Sequence, residues 1–371
     1  MKCLVLGQGE LGWRTLQILA DERAFDEILA VDVNARLVGR ANMARYAAAL
    51  LGRPTTIRFQ AVDALDVGSM AGLLREFRPD IVVNTASMQS WHVILRLPRD
   101  IWEVVHSAGL GVWLPAHLAP AYTLMTALRD AELTPPVVNM AFADATNVAL
   151  ANVGLSPAVG AGNIEELVPP LAFAVAQERG VPVGHVKVRM VGHHWVNAAV
   201  LEGRRTSDIP LICRIAVDGV DITDQVDVPR LLLAGTENFP PGFEDTWLIA
   251  ASAAQKALAL VGHEPIEAHA PGPNGLVGGY PICLHNGKVD VLLPEGVSED
   301  DALKVNLEGQ RLDGIESITA AGDVILTEHA RSVIHDVFGW DYERYELSSI
   351  VEAAHEVTSR YREFAEKYSA G

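Results

Sequence analysis

Residues 1–162 alternate short apolar runs with longer segments in which apolar positions recur at helical spacing. Short apolar runs bounded by turn-forming residues are typical of buried strands, and the longer periodic segments are typical of amphipathic helices. Because strands and helices alternate, the strands are expected to form a parallel sheet with helices on both faces. The six predicted strands are Lys2–Leu6, Ile28–Val31, Thr56–Val62, Asp80–Asn84, Pro136–Met140 and Pro157–Val159, and the predicted helices follow Gly12 or lie at Ser69–Phe77, Ile101–Ser107 and His117–Arg129.

From Asn163 onward this regular alternation stops. The stretch Pro271–Gly275 is dense in turn formers and indicates a loop near a site. Helices are predicted at Asn163–Val175 and Thr246–Leu260, and strands at Val186–Val191, Leu211–Val217, Val220–Thr223, Ile282–Leu284, Val289–Leu292, Ile315–Ile318 and Val324–Leu326. This mixture predicts a second domain of α+β type with its own sheet.

The end of the chain predicts one long amphipathic helix. Ser349 and Glu352 have the spacing of a capping box that opens it. Its apolar residues fall on one stripe, which indicates either a core face or a contact between subunits. The stripe consists of Ile350, Ala354, Val357, Tyr361, Phe364 and Tyr368. We therefore divide the chain into residues 1–162, an α+β domain at 163–345 and a C-terminal helix at 346–371.

The first strand runs directly into the sequence Gly7-Gln8-Gly9-Glu10-Leu11-Gly12, and a helix follows. In this setting the first glycine permits a tight turn, the second lets the backbone approach a pyrophosphate, and the third allows close packing of helix on strand. The second strand ends in Asp32, at the distance where a carboxylate binds the adenosine ribose. These features predict a doubly wound Rossmann domain that binds a dinucleotide. The cofactor-binding residues expected here are Gly7, Gly9, Glu10, Leu11, Gly12, Asp32 and Val33.

Ligands of such sheets bind beyond the carboxyl ends of the strands. Two further strand ends are therefore expected to contact the cofactor, Asp63-Ala64 on the adenine side and Thr85-Ala86-Ser87 on the nicotinamide side. The segment after Ser87 lies where related folds carry a substrate-covering loop. Within it, Gln89 and Trp91 are predicted substrate contacts, although Trp91 could instead anchor the next helix.

The cofactor is predicted to be NAD. Asp32 would accept hydrogen bonds from the ribose diol and repel the additional phosphate of NADP. Arg36 and Arg40 lie close enough in sequence that one could fold over a 2'-phosphate, which leaves NADP as the alternative.

Composition narrows the function classes. The formal net charge of -18 disfavours nucleic acid and anionic membranes as partners. The sequence contains no apolar run long enough to span a bilayer and no signal-peptide pattern. Cys3, Cys213 and Cys283 lie too far apart for paired metal-ligand spacing, which fits a reducing compartment. We expect a cytoplasmic protein with a small-molecule substrate that forms a homodimer or homotetramer.

Two families share these motifs. The segments Val62-Asp63-Ala64 and Pro79–Asn84 resemble the Rossmann domains of saccharopine dehydrogenase-like oxidoreductases, over residues 1–140. The order of motifs over residues 1–200 also resembles the lactate/malate dehydrogenase superfamily and the related NAD-dependent glycosidases. That second resemblance rests on Asp32 followed by Gly39-Arg40-Ala41, and on Gly192-His193-His194, which is similar to the superfamily's Gly-x-His motif.

The chain also departs from the second pattern. The superfamily's Asn-Pro-Val-Asp segment is replaced by Ala141-Phe142-Ala143-Asp144. In place of its Asp-to-Arg catalytic helix, the chain offers Glu165 and no arginine before Arg179, which argues against a carboxylate clamp of the lactate type. The cysteine that holds a metal in the glycosidases is missing from Gly160–Asn163. No metal is therefore expected, unless His193 and His194 bind one with distant partners.

The resemblance places His194 at the catalytic position. An imidazole can exchange a proton with a reacting hydroxyl or amine near neutral pH. His193 is the alternative, both could be structural, and Glu165 and Asp144 are the next candidates. Asn163 is a further predicted substrate contact.

The leading hypothesis is an NAD(P)-dependent dehydrogenase or reductase that acts on a hydroxy acid, an amino acid or a sugar acid. The alternatives are an NAD-dependent redox-assisted lyase or glycosidase and a non-catalytic dinucleotide-binding protein. A Rossmann fold alone does not distinguish among them.

Overall fold

The computed structural model describes residues 1–53, 55–203, 209–240, 244 and 246–368. Six strands near the N-terminus form one sheet, and every neighbouring pair is parallel. In chain order they are β1 Lys2–Leu6, β2 Glu27–Asp32, β3 Thr56–Ala61, β4 Ile81–Asn84, β5 Val137–Asn139 and β6 Val159–Gly160. Their spatial order is β3-β2-β1-β4-β5-β6. The predicted doubly wound Rossmann sheet is confirmed.

Helices cover both faces of this sheet. They are α1 Glu10–Asp21, α2 Val38–Leu50, α3 Val67–Phe77, α4 Arg99–His106, α5 Leu114–Asp130 and α6 Ala143–Ala151. Successive β1 residues point to opposite faces: Val5 packs in a cluster with Leu16 and Leu19 of α1, whereas Leu4 packs in a cluster with Leu74 of α3. Burial on both faces explains why these strands read as continuous apolar runs.

A second, largely antiparallel sheet lies in the middle of the chain. Its strands are β7 Val186–Gly192, β8 Leu211–Val217, β9 Val220–Asp221, β10 Ile266–Pro271, β11 Gly279–His285 and β12 Lys288–Val291, and the accompanying helices are α7 Val168–Arg179, α8 His194–Leu201, α9 Val228–Thr236, α10 Thr246–Val261 and α11 Glu299–Leu312. The spatial order is β10-β11-β7-β8-β9, with β12 paired to β11. The predicted α+β architecture is confirmed.

Local differences from the predictions occur where turn formers lie. Strand β10 escaped detection because it ends in Pro271 and continues into Gly272, which are residues that usually interrupt strands. The predicted loop begins only after it, as a short 3-10 turn at Pro273–Gly275. The predicted helix from Asn163 starts instead with a 3-10 turn at Asn163–Leu167, and α7 follows.

The C-terminal part contributes a small antiparallel sheet of β13 Ile315–Ile318, β14 Val324–Leu326 and β15 Arg344–Tyr345, together with helices α12 Glu328–Phe338 and α13 Ile350–Glu366. The predicted capping box is wrong, because Ser349 belongs to a 3-10 turn and its side chain makes no capping hydrogen bond. The predicted apolar stripe packs within the chain, around Trp113 and Leu118, except for the exposed Tyr368. The division at residues 162 and 345 stays a prediction. Within the described ranges, no helix is both long and apolar enough to cross a membrane.

Candidate active site

Steric contacts explain two of the three glycines in the turn after β1. Gly7 has a φ of 88°, a left-handed conformation that favours glycine. A Cβ placed on Gly12 would lie 2.0 Å from the carbonyl oxygen of Gly7, so only glycine allows this approach. A Cβ placed on Gly9, in contrast, would meet nothing within 4 Å. The space beside Gly9 is open, as a binding site for a phosphate group requires.

The start of α1 adds anion-binding character to this turn. Gly9 is the N-cap residue and contributes no side-chain cap, so the N–H groups of the first turn, including those of Glu10 and Leu11, stay available to a ligand. The Gln8 amide donates to the carbonyl oxygens of Val5 and Gly7, which holds the turn from behind. An uncapped helix start beside an open glycine is the arrangement that fits a pyrophosphate.

Asp32 ends β2 next to this turn. Its carboxylate accepts hydrogen bonds from the backbone N–H groups of Gln8, at 2.7 Å, and Asn34, at 2.8 Å. Arg40 donates to the carbonyl oxygen of Gln8 at 2.7 Å and pairs with Glu10. The guanidinium is therefore already engaged with the glycine turn.

The remaining predicted cofactor contacts also follow strand ends. Asp63 accepts a hydrogen bond from the N–H of Leu65 at 2.9 Å, within the turn that contains Ala64. The Thr85 hydroxyl lies 3.0 Å from the carbonyl oxygens of both Leu6 and Gly7, so it supports the glycine turn. The loops after β2 and β4 also contain Val33 and Ser87, which are exposed, and Ala86, which is half-buried.

Buried amides join the ends of β4 and β5. Asn84 donates to Asn139 at 2.9 Å, Asn139 donates to Asn147 of α6 at 2.8 Å, and Asn147 donates to the carbonyl oxygen of Gly272. All three side chains lie in the interior, where an unpaired amide would be costly. This row of hydrogen bonds fixes the middle of α6 and the β10–β11 connection against the sheet.

The histidine pair lies at the end of β7. His193 is the N-cap residue of α8, and His194 is the first residue of that helix. The Nδ1 atom of His194 lies 2.7 Å from a carboxylate oxygen of Asp313, whereas Nδ1 of His193 lies 3.5 Å from the same oxygen. The His193 side chain is fully buried, and 21% of the His194 side chain is exposed. Only His194 is therefore placed to meet a ligand.

Asp313 gave no signal in the sequence. It is the C-cap residue of α11, 119 residues from His194, and no motif links the two positions. Its carboxylate also accepts a hydrogen bond from the N–H of Leu110 at 2.8 Å. The pair forms only because the fold brings the end of α11 to the start of α8.

Asp144 connects this pair to the Rossmann sheet. It lies in the first turn of α6, just beyond β5, and is fully buried. One of its carboxylate oxygens accepts a hydrogen bond from the backbone N–H of His194 at 2.9 Å, and the other accepts from the Asn163 amide beyond β6. The Phe142 ring packs edge-on against His194, with centroids 5.3 Å apart. His194 thus lies at the carboxyl edge of the parallel sheet, where ligands of this fold bind.

The charges around His194 keep it protonated at neutral pH. Burial alone would lower the pKa of His194, but the nearby Asp313 carboxylate, and further off Asp144 and Glu166, raise it to about 9. Burial lowers the pKa of His193 below its ordinary value, against the opposing effect of the same aspartates. The two adjacent histidines therefore differ in charge, one a cation and the other neutral.

The other predicted residues do not all reach this site. Glu165 pairs with the buried Lys256 and accepts a hydrogen bond from the Ser252 hydroxyl, and among the described residues it makes no hydrogen bond to His194. Its role as a catalytic group stays a prediction. Gln89 is half-buried in the segment after β4. Trp91 begins a 3-10 turn, and its side chain lies outside the described residues.

Similarity to known proteins is found only at the level of three-dimensional structure. No protein-family model and no curated protein sequence matches the chain. The solved structure of malate dehydrogenase from Cryptosporidium parvum is similar with a TM-score of 0.60 and 15% identity, covering 84% of this chain and 97% of that one. Lactate dehydrogenase from Eimeria maxima, solved with NADH and oxamate, has a TM-score of 0.56 and 12% identity, covering 83% and 92%. Malate dehydrogenase from Picrophilus torridus has a TM-score of 0.54 and 16% identity, covering 98% of both chains.

At these identities the likeness shows a shared fold. It agrees with the lactate/malate dehydrogenase-like motif order expected from the sequence. The saccharopine dehydrogenase-like resemblance stays a prediction.

Proposed function

We propose that the protein is an NAD-dependent oxidoreductase that transfers a hydride between the nicotinamide ring and a carbon of a small polar substrate. The observation that carries this proposal is the position of the His194–Asp313 pair. Asp144 ties it to the same sheet edge that carries the glycine turn and Asp32. A proton-transfer group and a dinucleotide cradle on one edge are the two parts that a dehydrogenase needs.

The residues present fit a dinucleotide. Gly9 and the start of α1 would hold the pyrophosphate, Asp32 the adenosine ribose, and the loops after β3 and β4 the flanking groups. NAD supplies the hydride chemistry when bound. We expect NAD to bind more tightly than NADP, because Asp32 is acidic and Arg40 is already engaged by Gln8 and Glu10. Dissociation constants measured for both cofactors test this preference, and tighter NADP binding contradicts it.

His194 supplies the proton transfer. Its Nδ1 is held by Asp313, so Nε2 is the ring nitrogen left for a substrate oxygen or nitrogen. As a cation at neutral pH, it donates a proton to the substrate during reduction, and as a neutral base at higher pH it accepts one during oxidation. Asp313 orients the ring and stabilises its charged form.

The substrates considered from the sequence are hydroxy acids, amino acids and sugar acids. Oxamate and NADH in the Eimeria maxima structure, and lactic acid and NAD in that of the Cryptosporidium parvum lactate dehydrogenase, are ligands of those proteins. They support a small carbonyl or carbinol compound for this chain. Asn163 and Gln89 remain predicted substrate contacts.

A screen tests the proposal. The wild-type protein and His194→Asn are incubated with NAD or NADP and a panel of hydroxy acids, amino acids, sugar acids and polyols, and the absorbance of the reduced cofactor is followed. We expect net reduction with one class in the wild type and a large loss in the variant. Cofactor that binds tightly without net turnover, while substrate is consumed, would indicate the redox-assisted lyase instead. Binding without any consumption would indicate a non-catalytic protein.

Two coarser expectations accompany this proposal. We expect a homodimer or homotetramer. Light scattering on the purified protein tests this expectation, and a monomer at micromolar concentration would contradict it.

A cytoplasmic location also stays a prediction. It is supported by the three cysteines, which are all free thiols.

A further inference from the structure

We propose that His117 is a second substrate contact of this site, and that it binds an uncharged oxygen, a hydroxyl or a carbonyl, on the carbon next to the reacting one. This inference rests on the proposed function and narrows its substrate to hydroxy ketones and the corresponding vicinal diols. From the sequence, His117 was predicted only to begin a helix, with no role in binding.

His117 lies in the first turn of α5, beside the loop that follows β4. The carbonyl oxygen of its neighbour Ala116 accepts a hydrogen bond from the N–H of Met88 at 2.8 Å. Leu114 and Leu118, which flank it in the helix, belong to the same apolar cluster as Phe142, whose ring packs on His194. The positive charge of His194 acts directly on the His117 ring. These contacts place His117 close enough to His194 for the two rings to interact electrostatically.

The ring nitrogens of His117 have no partner among the described residues, although only 8% of the residue is exposed. Neither ring nitrogen is completely enclosed by the described residues, so each keeps a small accessible surface. His269 is a useful contrast, because it is equally buried but its Nε2 accepts a hydrogen bond from the N–H of Met190 at 3.0 Å. A buried imidazole with an accessible ring nitrogen and no hydrogen-bond partner is suited to bind a polar ligand.

His117 is neutral over the physiological pH range. Burial and, to a smaller extent, the charge of His194 lower the pKa of His117 to about 4. A neutral imidazole offers one N–H donor and one acceptor nitrogen. It therefore hydrogen-bonds a hydroxyl or carbonyl oxygen, but it brings no positive charge to balance a carboxylate.

The charges around His194 also favour an uncharged substrate group over an anionic one. The groups that act on His194 include three carboxylates, from Asp313, Asp144 and Glu166, against the single positive charge of His194 itself. Within the described part of the chain, this local excess of negative charge disfavours an anionic substrate group. A neutral oxygen next to the reacting carbonyl meets no such repulsion.

The reaction balances with these groups. In reduction, the carbonyl carbon gains a hydride from NADH and the carbonyl oxygen gains the proton of His194, which gives a secondary alcohol, NAD and a neutral His194 that recovers a proton from water. His117 hydrogen-bonds the adjacent oxygen and gains or loses no proton.

Three small ketones that differ only at one carbon form the first test. Acetone lacks a second oxygen, hydroxyacetone carries a neutral one, and pyruvate carries a carboxylate. We expect the wild type with NADH at pH 7 to have the highest kcat/KM for hydroxyacetone. His117→Phe should reduce the preference for hydroxyacetone over acetone by roughly tenfold, the value of one hydrogen bond, with NADH affinity unchanged. His117→Gln should retain part of it, and exposed His355→Gln serves as the control. Pyruvate as the best substrate, or an unchanged preference in His117→Phe, overturns the inference.

A chemical label tests the same point in the wild type without turnover. Diethyl pyrocarbonate modifies unprotonated, accessible imidazoles, and the modified peptides are identified by mass spectrometry. At pH 6 we expect labelling of His117, which is neutral and keeps an accessible nitrogen, but not of the cationic His194 or the fully enclosed His193. Saturating hydroxyacetone with NAD, which cannot reduce the ketone, should protect His117. If His117 is labelled only after unfolding, the inference is wrong even where the proposed function holds; if no cofactor binds, the proposed function fails while labelling still reports on His117.

Discussion

At the scale of single residues, two adjacent histidines have different surroundings. His194 contacts Asp313 and its side chain is partly exposed, whereas the His193 side chain is fully buried. His194→Asn should lower turnover roughly 10²- to 10⁴-fold while NAD affinity is kept, because the proton-transfer group is lost but the cofactor cradle is untouched. Steady-state kinetics and a cofactor titration measure both. If His193→Asn shows this loss and His194→Asn does not, the assignment of the pair is wrong.

Asp313 sets the pH at which His194 changes charge. The neighbouring carboxylates raise the pKa of His194 to about 9, well above the ordinary value of an imidazole. Reduction needs the protonated ring, so its rate should be level through neutral pH and fall above about pH 9. In Asp313→Asn the main raising charge is gone and burial remains, so the fall should move to lower pH. A profile that is unchanged in this variant contradicts the role of Asp313.

The glycine turn offers a matched pair of substitutions. Gly9→Val adds a side chain to open space, so the fold should persist while the new side chain blocks the pyrophosphate and NAD binding is lost. Gly12→Ala places its Cβ 2.0 Å from the carbonyl oxygen of Gly7, so it should lower thermal stability even without cofactor. Thermal melts and NAD titrations separate the two effects. Unchanged NAD affinity in Gly9→Val would mean that the phosphates bind elsewhere.

At the scale of elements, α10 is fixed to the turn after β6 by an ion pair between the buried Lys256 and the half-buried Glu165. Lys256 is fully buried, and Glu165 also accepts hydrogen bonds from Ser252 and from the N–H of His269. The N–H of Gly162 in turn donates to Ser252 at 2.9 Å, next to the Asn163 that holds Asp144. This arrangement connects α10 to the position of His194.

Breaking the pair on one side should be costly. Lys256→Met leaves the half-buried Glu165 carboxylate without its cation, and we expect a loss of about 3 kcal/mol in the free energy of unfolding, measured in urea. Adding Glu165→Gln removes that charge and keeps an acceptor for His269, so the double variant should recover most of the loss. A double variant as unstable as the single one would show that the charge imbalance is not the cause.

The elements that the sequence predicted well are those whose pattern is local. Strands β1, β13 and β14 were predicted with the observed bounds, because their apolar residues and flanking turns lie together in the chain. Strand β10 was missed because it ends in Pro271, and the capping box at Ser349 was wrong because a 3-10 turn precedes α13 there. Asp313 and His117 carried no signal, since distant parts of the chain bring them to His194.

At the scale of the whole molecule, the structure combines the candidate dinucleotide site at the glycine turn with the His194–Asp313 pair. Three connections bring them to one edge of the Rossmann sheet: the start of α6 after β5, the turn after β6, and the second sheet with α8 and α11. The fold is shared with malate and lactate dehydrogenases, whereas the partner of His194 comes from the end of α11. The chemistry therefore has to be tested on this chain itself.

A crystal structure of the protein with NAD bound tests the central claim most directly. We predict the pyrophosphate against Gly9 and the start of α1, the adenosine ribose on Asp32, and the nicotinamide ring on the side of the sheet edge where Nε2 of His194 lies. A dinucleotide bound away from the glycine turn, or a nicotinamide ring directed away from His194, would contradict the account.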